Sequence, residues 1–280
     1  MKITVLVENS VSKNGQPGLK SEHGLSIHIE VNKTNILFDV GKTDLFSRNS
    51  KKLNIDLSKV DYLIISHGHY DHGGGLKHFL KINNKAKIYM HKKAINKHFT
   101  KIFGFIPFNI SLDSNVINKN TDRIFFVEED THLTDNIDLL ADFPDDFPQP
   151  TGNLSLYEKY EGIVENDKFQ HEIALLINEN DNSVLFTACS HSGIINMYKK
   201  AESFKKNEKI NYVFGGFHTY KPATRKNESK SYLDNLTSGL KETDSLFYTG
   251  HCTGKQNLDY LKEKLDDKIF SMNTGDIIEI

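Results

Sequence analysis

Cysteine, tryptophan, long apolar runs and an excess of either charge are all scarce or missing from this chain, and most of these absences exclude something. Only Cys189 and Cys252 occur, each in a motif-like segment near a histidine, which suits a reducing compartment better than a structural disulfide. No stretch approaches the roughly 20 apolar residues that a membrane span needs. The N-terminal run from Met1 to Val7 meets Glu8 too early for a signal peptide. The expected location is therefore the cytoplasm. With 35 basic against 37 acidic side chains the formal net charge is -2, which offers no electrostatic footprint for nucleic acid or an anionic membrane. Neither a P-loop nor a Gly-X-Gly-X-X-Gly fingerprint is present, so Walker-type nucleotide hydrolysis and nicotinamide binding lack support. The remaining partner class is a small-molecule substrate.

What is present fits a globular protein. Apolar residues make up 38% and charged residues 26% of 280 positions, enough to bury a core, and the expectation is a single domain over 1–280. Strand-like runs (Lys2–Glu8, Leu25–Val31, Asn35–Asp39, Val60–Ser66, Lys87–Met90) alternate with helical stretches near Thr43–Leu53, up to Ile82, and at Lys92–Phe99. The second half repeats the alternation, with strands at Ile173–Asn178, Val184–Ala188, Ile210–Gly215, Leu246–Tyr248 and Asp276–Ile280. Its helices lie near Ile194–Lys206, Glu228–Leu240 and Gln256–Leu265. Hairpins mixed with strand-helix units predict a layered α/β architecture of two sheets with helices outside. The less regular region up to Asn153, punctuated by Pro144, Pro148 and Pro150, reads as strands plus a lid. Its phenylalanines between Phe99 and Phe108, Phe103 and Phe105 included, could stack on a planar substrate or form a homodimer face.

The chemistry gathers at His67-Gly68-His69-Tyr70-Asp71-His72, on the loop that leaves the strand Val60–Ser66. Such a loop can turn His67 and His69 toward one point while Asp71 and His72 face a second, which suits two adjacent cations. Imidazole and carboxylate are the donors expected for zinc and similar first-row metals. Gly73, Gly74 and Gly75 then read as keeping the pocket floor open.

This run resembles the hallmark of the metallo-β-lactamase superfamily, and the resemblance extends to Ile36-Leu37-Phe38-Asp39-Val40-Gly41. It narrows to the dihydropterin ribofuranosylaminobenzene phosphate synthase-like branch through four further segments. They are Glu22-His23-Gly24-Leu25-Ser26, Ala188-Cys189-Ser190-His191-Ser192-Gly193, Gly215-Gly216-Phe217-His218 and Thr249-Gly250-His251-Cys252-Thr253-Gly254. The resemblance implies a four-layer αββα sandwich with two divalent metal ions, zinc first and iron or manganese as alternatives. It implies His67, His69, Asp71, His72, His191 and His251 as ligands, with Asp39 orienting them from behind; capping the following turn is the other reading of Asp39. Typical members carry a bridging Asp where this chain has Cys189-Ser190-His191, so Cys189 is either a packed thiol or a thiolate ligand. His218 competes with His251 for the last ligand position and is otherwise cast, with Glu22 and His23, as substrate-binding. His28, His78, His91, His98, His132 and His171 read as structural or exposed.

The function so implied is hydrolysis of a small ester, lactone or phosphate-bearing, possibly pterin-related, metabolite by a metal-activated hydroxide. Asp71 would guide the proton and His218 would steady developing charge or protonate the leaving group. The alternative is a metal- or redox-sensing protein that uses the same dinuclear centre, modulated by Cys189 and Cys252.

Overall fold

A computed structural model describes residues 1–102, 105–206, 208–222 and 224–280. The chain divides into two compact units, Met1–Asn96 with Ile110–Glu128 and Met272–Ile280, and Lys97–Asn109 with Glu129–Ser271.

The first unit is built on a seven-stranded sheet in the order Ile277–Glu279, Lys2–Val7, Ser26–Val31, Thr34–Phe38, Tyr62–Ile65, Lys87–His91, Ile124–Val127. Its first three joins are antiparallel and its last three parallel. Leu37, Leu63, Ile65, Ile88 and Met90 form one face of the sheet with Leu45 and Phe46 of the helix Leu45–Lys52 and with Leu76 and Phe79 of the helix Leu76–Ile82. The intervening residues Ile36, Phe38 and Ile64 are also fully buried. Burial on both faces explains why these strands read as continuous apolar runs.

The second unit repeats the plan. Its sheet runs Ile269–Ser271, Leu246–Thr249, Tyr212–Gly215, Asn182–Ala188, Ala174–Glu179, Ile137–Leu140, Thr131–Thr134. Here three parallel joins are followed by three antiparallel ones. Leu176, Leu185, Val213 and Phe247 pack with Met197 of Ile194–Phe204, Leu236 of Lys230–Lys241 and Leu261 of Lys255–Leu265. A smaller antiparallel sheet, in the order Ile163–Asn166, Leu156–Tyr160, Lys97–Ile102, Ile106–Asn109, belongs to the same unit.

That sheet corrects the helix expected at Lys92–Phe99. Only Lys92–Ile95 turns helically, as a single 3-10 turn, and Lys97–Ile102 is a strand paired with Leu156–Tyr160. Lys92-Lys93-Ala94 looks helical locally, but His98-Phe99-Thr100 has the residue types of a strand, and long-range pairing decides. The proline-rich stretch, read as part of a lid, is anchored at Phe147. Asn196 accepts from the Phe147 amide at 2.8 Å and donates to the Phe147 carbonyl at 2.8 Å. Of the phenylalanines considered for stacking or dimerisation, Phe105 and Phe108 are exposed, Phe99 is half-buried, and Phe103 lies outside the described residues.

Gly73, Gly74 and Gly75 mark close packing: a Cβ on Gly73 would lie 2.4 Å from a Leu112 methyl, while Gly74 and Gly75 lie against backbone. A Cβ on Gly74 would lie 2.4 Å from the Tyr70 carbonyl oxygen, and one on Gly75 would lie 2.3 Å from that of Val40 and 2.7 Å from that of Thr43. We expect Gly75→Ala to cost about 1–3 kcal/mol through overpacking, seen as a lowered thermal midpoint. An unchanged midpoint would mean that this junction is softer than its distances indicate.

Candidate metal centre

Strand register builds the site in the first unit. Thr34–Phe38 and Tyr62–Ile65 are parallel with Phe38 opposite Ile64, so Asp39 emerges beside Ser66 and His67 at the carboxyl ends of neighbouring strands, where open α/β sheets bind ligands. Asp39 is fully buried and adopts a left-handed backbone, φ +59°. Its carboxylate accepts from the Ser66 amide at 2.8 Å, the Ser66 hydroxyl at 2.7 Å and His72 Nδ1 at 2.7 Å.

These bonds settle two tautomers. The Nδ1 proton of His72 faces Asp39, so Nε2 carries that ring's lone pair. Ser66 gives its only hydroxyl proton to Asp39, so in its 2.8 Å bond with His67 Nδ1 the histidine must donate, and His67 too carries its lone pair on Nε2. The rings lie close, 4.2 Å between the centroids of His67 and His72 and 4.6 Å between those of His67 and His69, and all three are buried. A short helical turn, Tyr70–Gly73, follows, in which the His69 carbonyl accepts from the amides of His72 and Gly73 at 3.1 Å each. Asp71 Oδ2 lies 3.8 Å from His72 Nε2 and 3.2 Å from His23 Nε2. Buried imidazoles with backed Nδ1 atoms, beside a carboxylate, are a donor set that fits a divalent first-row cation.

Glu22, read as substrate-binding, has a structural task in this unit. Its carboxylate organises the turn after Asp39, accepting from the Lys42 amide at 3.1 Å, the Thr43 amide at 3.0 Å and the Thr43 hydroxyl at 2.6 Å.

In the second unit the same logic places three more segments side by side. Asn182–Ala188, Tyr212–Gly215 and Leu246–Thr249 are parallel neighbours, so Cys189 to His191, Gly216 to His218 and Gly250-His251 all leave the same edge of the sheet. Ala188, Ser190, His218 and His251 have φ between +45° and +55°, a conformation costing about 1–2 kcal/mol per residue. Such strain, repeated at one strand edge, is typical of functional sites. His191, His218 and His251 are all buried, and the rings of His191 and His218 lie 4.0 Å apart. Gly152 sits against the His218 ring, for a Cβ there would be 2.9 Å from its Nε2. Cys189 and Cys252 are buried free thiols whose sulfurs, with a ring nitrogen of His218, lie within 4.8 Å of one another.

Several residues here escaped sequence reasoning. Glu172 accepts from the amides of His191 at 2.7 Å and Ser192 at 2.8 Å, and burial pushes its carboxyl up despite those bonds. Asn153 meets His191 Nδ1 at 3.1 Å, and Phe169 stacks on the same ring at 4.4 Å. Asp167 bridges His98 Nδ1 at 2.9 Å and His171 Nε2 at 3.1 Å, with all three side chains fully buried. Burial opposes the charge on Asp167, yet the two imidazoles outweigh it and hold the carboxyl below its usual range. His171 is correspondingly raised: burial works against its charge but Asp167 prevails. His98 is lowered, by burial and then by the His171 charge. Sequence gives no signal that one carboxylate serves both rings, because Asp167 is 4 residues from His171 but 69 from His98.

Comparison with known proteins gives the setting. A family model described as the metallo-beta-lactamase superfamily matches residues 22–153. The 7,8-dihydropterin-6-methyl-4-(beta-D-ribofuranosyl)-aminobenzene-5'-phosphate synthase of Methanocaldococcus jannaschii is 29% identical over 293 residues, covering 100% of this chain and 96% of that protein. The crystal structure of Tm1679, a metal-dependent hydrolase of the beta-lactamase superfamily, superposes with a TM-score of 0.83 at 31% identity, covering 100% of this chain and 99% of that one. Zinc-bound PqqB from Methylobacterium extorquens shares the fold alone, with a TM-score of 0.57 at 8% identity over 100% of both chains.

Proposed function

Because this chain belongs to the metallo-β-lactamase superfamily and is an enzyme of its fold, we propose that it hydrolyses a small ester, lactone or phosphate-bearing metabolite at a dinuclear metal centre, zinc before iron or manganese. The observation that carries this reading is the Asp39 relay, which commits the Nδ1 protons of His67 and His72 and so shapes both rings as metal donors. The residues proposed to hold the cations are His67, His69, Asp71, His72, His191 and His251. When bound, such a pair supplies Lewis acidity, making water acidic enough to yield a nucleophile near neutral pH and polarising the scissile carbonyl or phosphoryl oxygen.

The chain's own groups do the rest. Asp71 holds its carboxylate against His23, which is 39% exposed, so a proton taken up at Asp71 has a short way to solvent through that imidazole. His218 steadies developing charge or protonates the leaving group. Its Nδ1 is buried without a hydrogen-bond partner among the described residues, as suits a nitrogen kept for a ligand. The relative's name suggests a pterin-linked phosphorylated compound as one substrate to try. Metal analysis followed by assays on phosphodiester, lactone and thioester probes tests the proposal, which fails if the metal-loaded protein turns over none of these. His218→Ala is expected to keep its metal and lose about 10²–10⁴-fold in turnover, the usual worth of a general acid or base. Loss of metal together with activity would make His218 a ligand instead.

A second reading, a metal- or redox-sensing protein, is favoured by the thiol pair. Burial would raise the Cys252 thiol, but contacts with the Cys189 and His218 side chains pull it well below its ordinary value, which favours the thiolate form that binds metals. Bound iron that changes oxidation state without turnover would support it.

A further inference from the structure

We propose that Asn153 and Glu172 are positioning residues that fix the ring and the backbone of His191, so that its Nε2 lone pair is presented in one direction. The inference rests on the reading of His191 as a metal ligand, but its geometry lies wholly within the second unit. The Asn153 side chain donates through Nδ2 to the His191 carbonyl at 2.8 Å and to Gln149 Oε1 at 3.1 Å. A carbonyl oxygen can only accept, so the amide orientation is settled and Oδ1 faces His191 Nδ1 at 3.1 Å. The imidazole must therefore carry its proton on Nδ1 and its lone pair on Nε2. That is the tautomer which the Asp39 relay imposes on His67 and His72, here reached through an amide instead of a carboxylate.

Glu172 fixes the other half. Its two oxygens take the successive amides of His191 and Ser192 at 2.7 and 2.8 Å, where the chain has just passed through the left-handed residues Ala188 and Ser190. Phe169 lies flat on the His191 ring, 4.4 Å between centroids and 4° between planes. The segment from Asp167 to Glu172 that carries both groups is itself anchored, because Asp167 takes the Phe169 amide at 2.7 Å and bridges His98 and His171. Asn153, Glu172 and His191 are at most 7% exposed, so water cannot substitute for a lost partner without cost. One imidazole is thus held by its Nδ1, one face and its own backbone, which is more support than packing a loop histidine requires.

The test uses the full chain, Zn²⁺ affinity from chelator competition, and ¹⁵N NMR of the His191 ring in the metal-depleted protein. Asn153→Leu keeps the branching and the number of heavy atoms and removes both the acceptor and the donor. It should scramble the His191 tautomer and weaken zinc about 10–100-fold, the usual range for partners behind a metal ligand. Asn153→Asp restores an acceptor and should recover both the tautomer and most of the affinity, a rescue that a purely structural role would not produce. If Asn153→Leu keeps the wild-type tautomer and zinc affinity, the proposal is overturned. Should Asn153→Leu not fold, Glu172→Gln puts the same question from the backbone side, since it replaces one acceptor by a donor against an amide. Weakened zinc with altered His191 shifts supports the proposal, and unchanged values sink it. His191→Ala separates the two claims: if it binds as much zinc as tightly as wild type, the ligand reading fails, while the tautomer result still decides the positioning.

Discussion

Replacing His69 with alanine should strip metal from the protein and reduce turnover by about 10³-fold, because the Lewis acidity lost with a cation is worth several kcal/mol and each 1.36 kcal/mol is a factor of ten. The fold should survive. His69 contributes to the short helical turn through its carbonyl, which accepts from the amides of His72 and Gly73 and persists in alanine. Metal content by mass spectrometry, thermal unfolding and turnover read the three consequences separately. Retained metal with full activity would remove His69 from the ligand set, and a collapsed thermal midpoint would make its role structural.

Asp39→Asn should be nearly as damaging to metal binding while adding little backbone strain. Asn tolerates the left-handed conformation that Asp39 adopts, φ +59°, so the change isolates the hydrogen bonds. One amide oxygen cannot replace two carboxylate oxygens that together accept three bonds, from the Ser66 amide, the Ser66 hydroxyl and His72 Nδ1. An amide NH₂ turned toward His72 Nδ1 would force the proton to Nε2 and take away the lone pair there. We expect about 10–100-fold weaker zinc binding, with the His72 tautomer changed in ¹⁵N spectra. Wild-type affinity with an unchanged tautomer would leave Asp39 as no more than the cap of the turn that follows it.

The contrast between Asp39 and His191 indicates what local sequence can reveal. Asp39 was legible because its strand, its turn and the histidine run form a recognisable neighbourhood, and the parallel pairing of Phe38 with Ile64 brings the two segments together as that pattern implies. Asn153 and Glu172 lie 38 and 19 residues from His191 and belong to no local pattern. The same holds for Asp167 between His98 and His171, whose two histidines read as bland. Glu22 carries a task that its neighbourhood did not signal: a carboxylate next to a motif histidine suggested the pocket, and its oxygens also accept from the amides of Lys42 and Thr43. The glycines after His72 invited a reading in terms of open space, and mark close packing, Gly73 against the Leu112 side chain and Gly74 and Gly75 against backbone.

Period, apolar runs and the histidine spacing were enough to establish the α/β class, most strands and helices, and the loop that carries the histidine run, since each is written in residues close along the chain. Folding alone decided that Lys97–Ile102 is a strand, that Asn196 ties down the proline-rich stretch, and which partners hold each imidazole. Hydrogen bonds between buried groups select a tautomer only when donor and acceptor meet in space. Which residues meet is fixed by sheet register and packing over many tens of residues, and no local pattern of residue types carries that information.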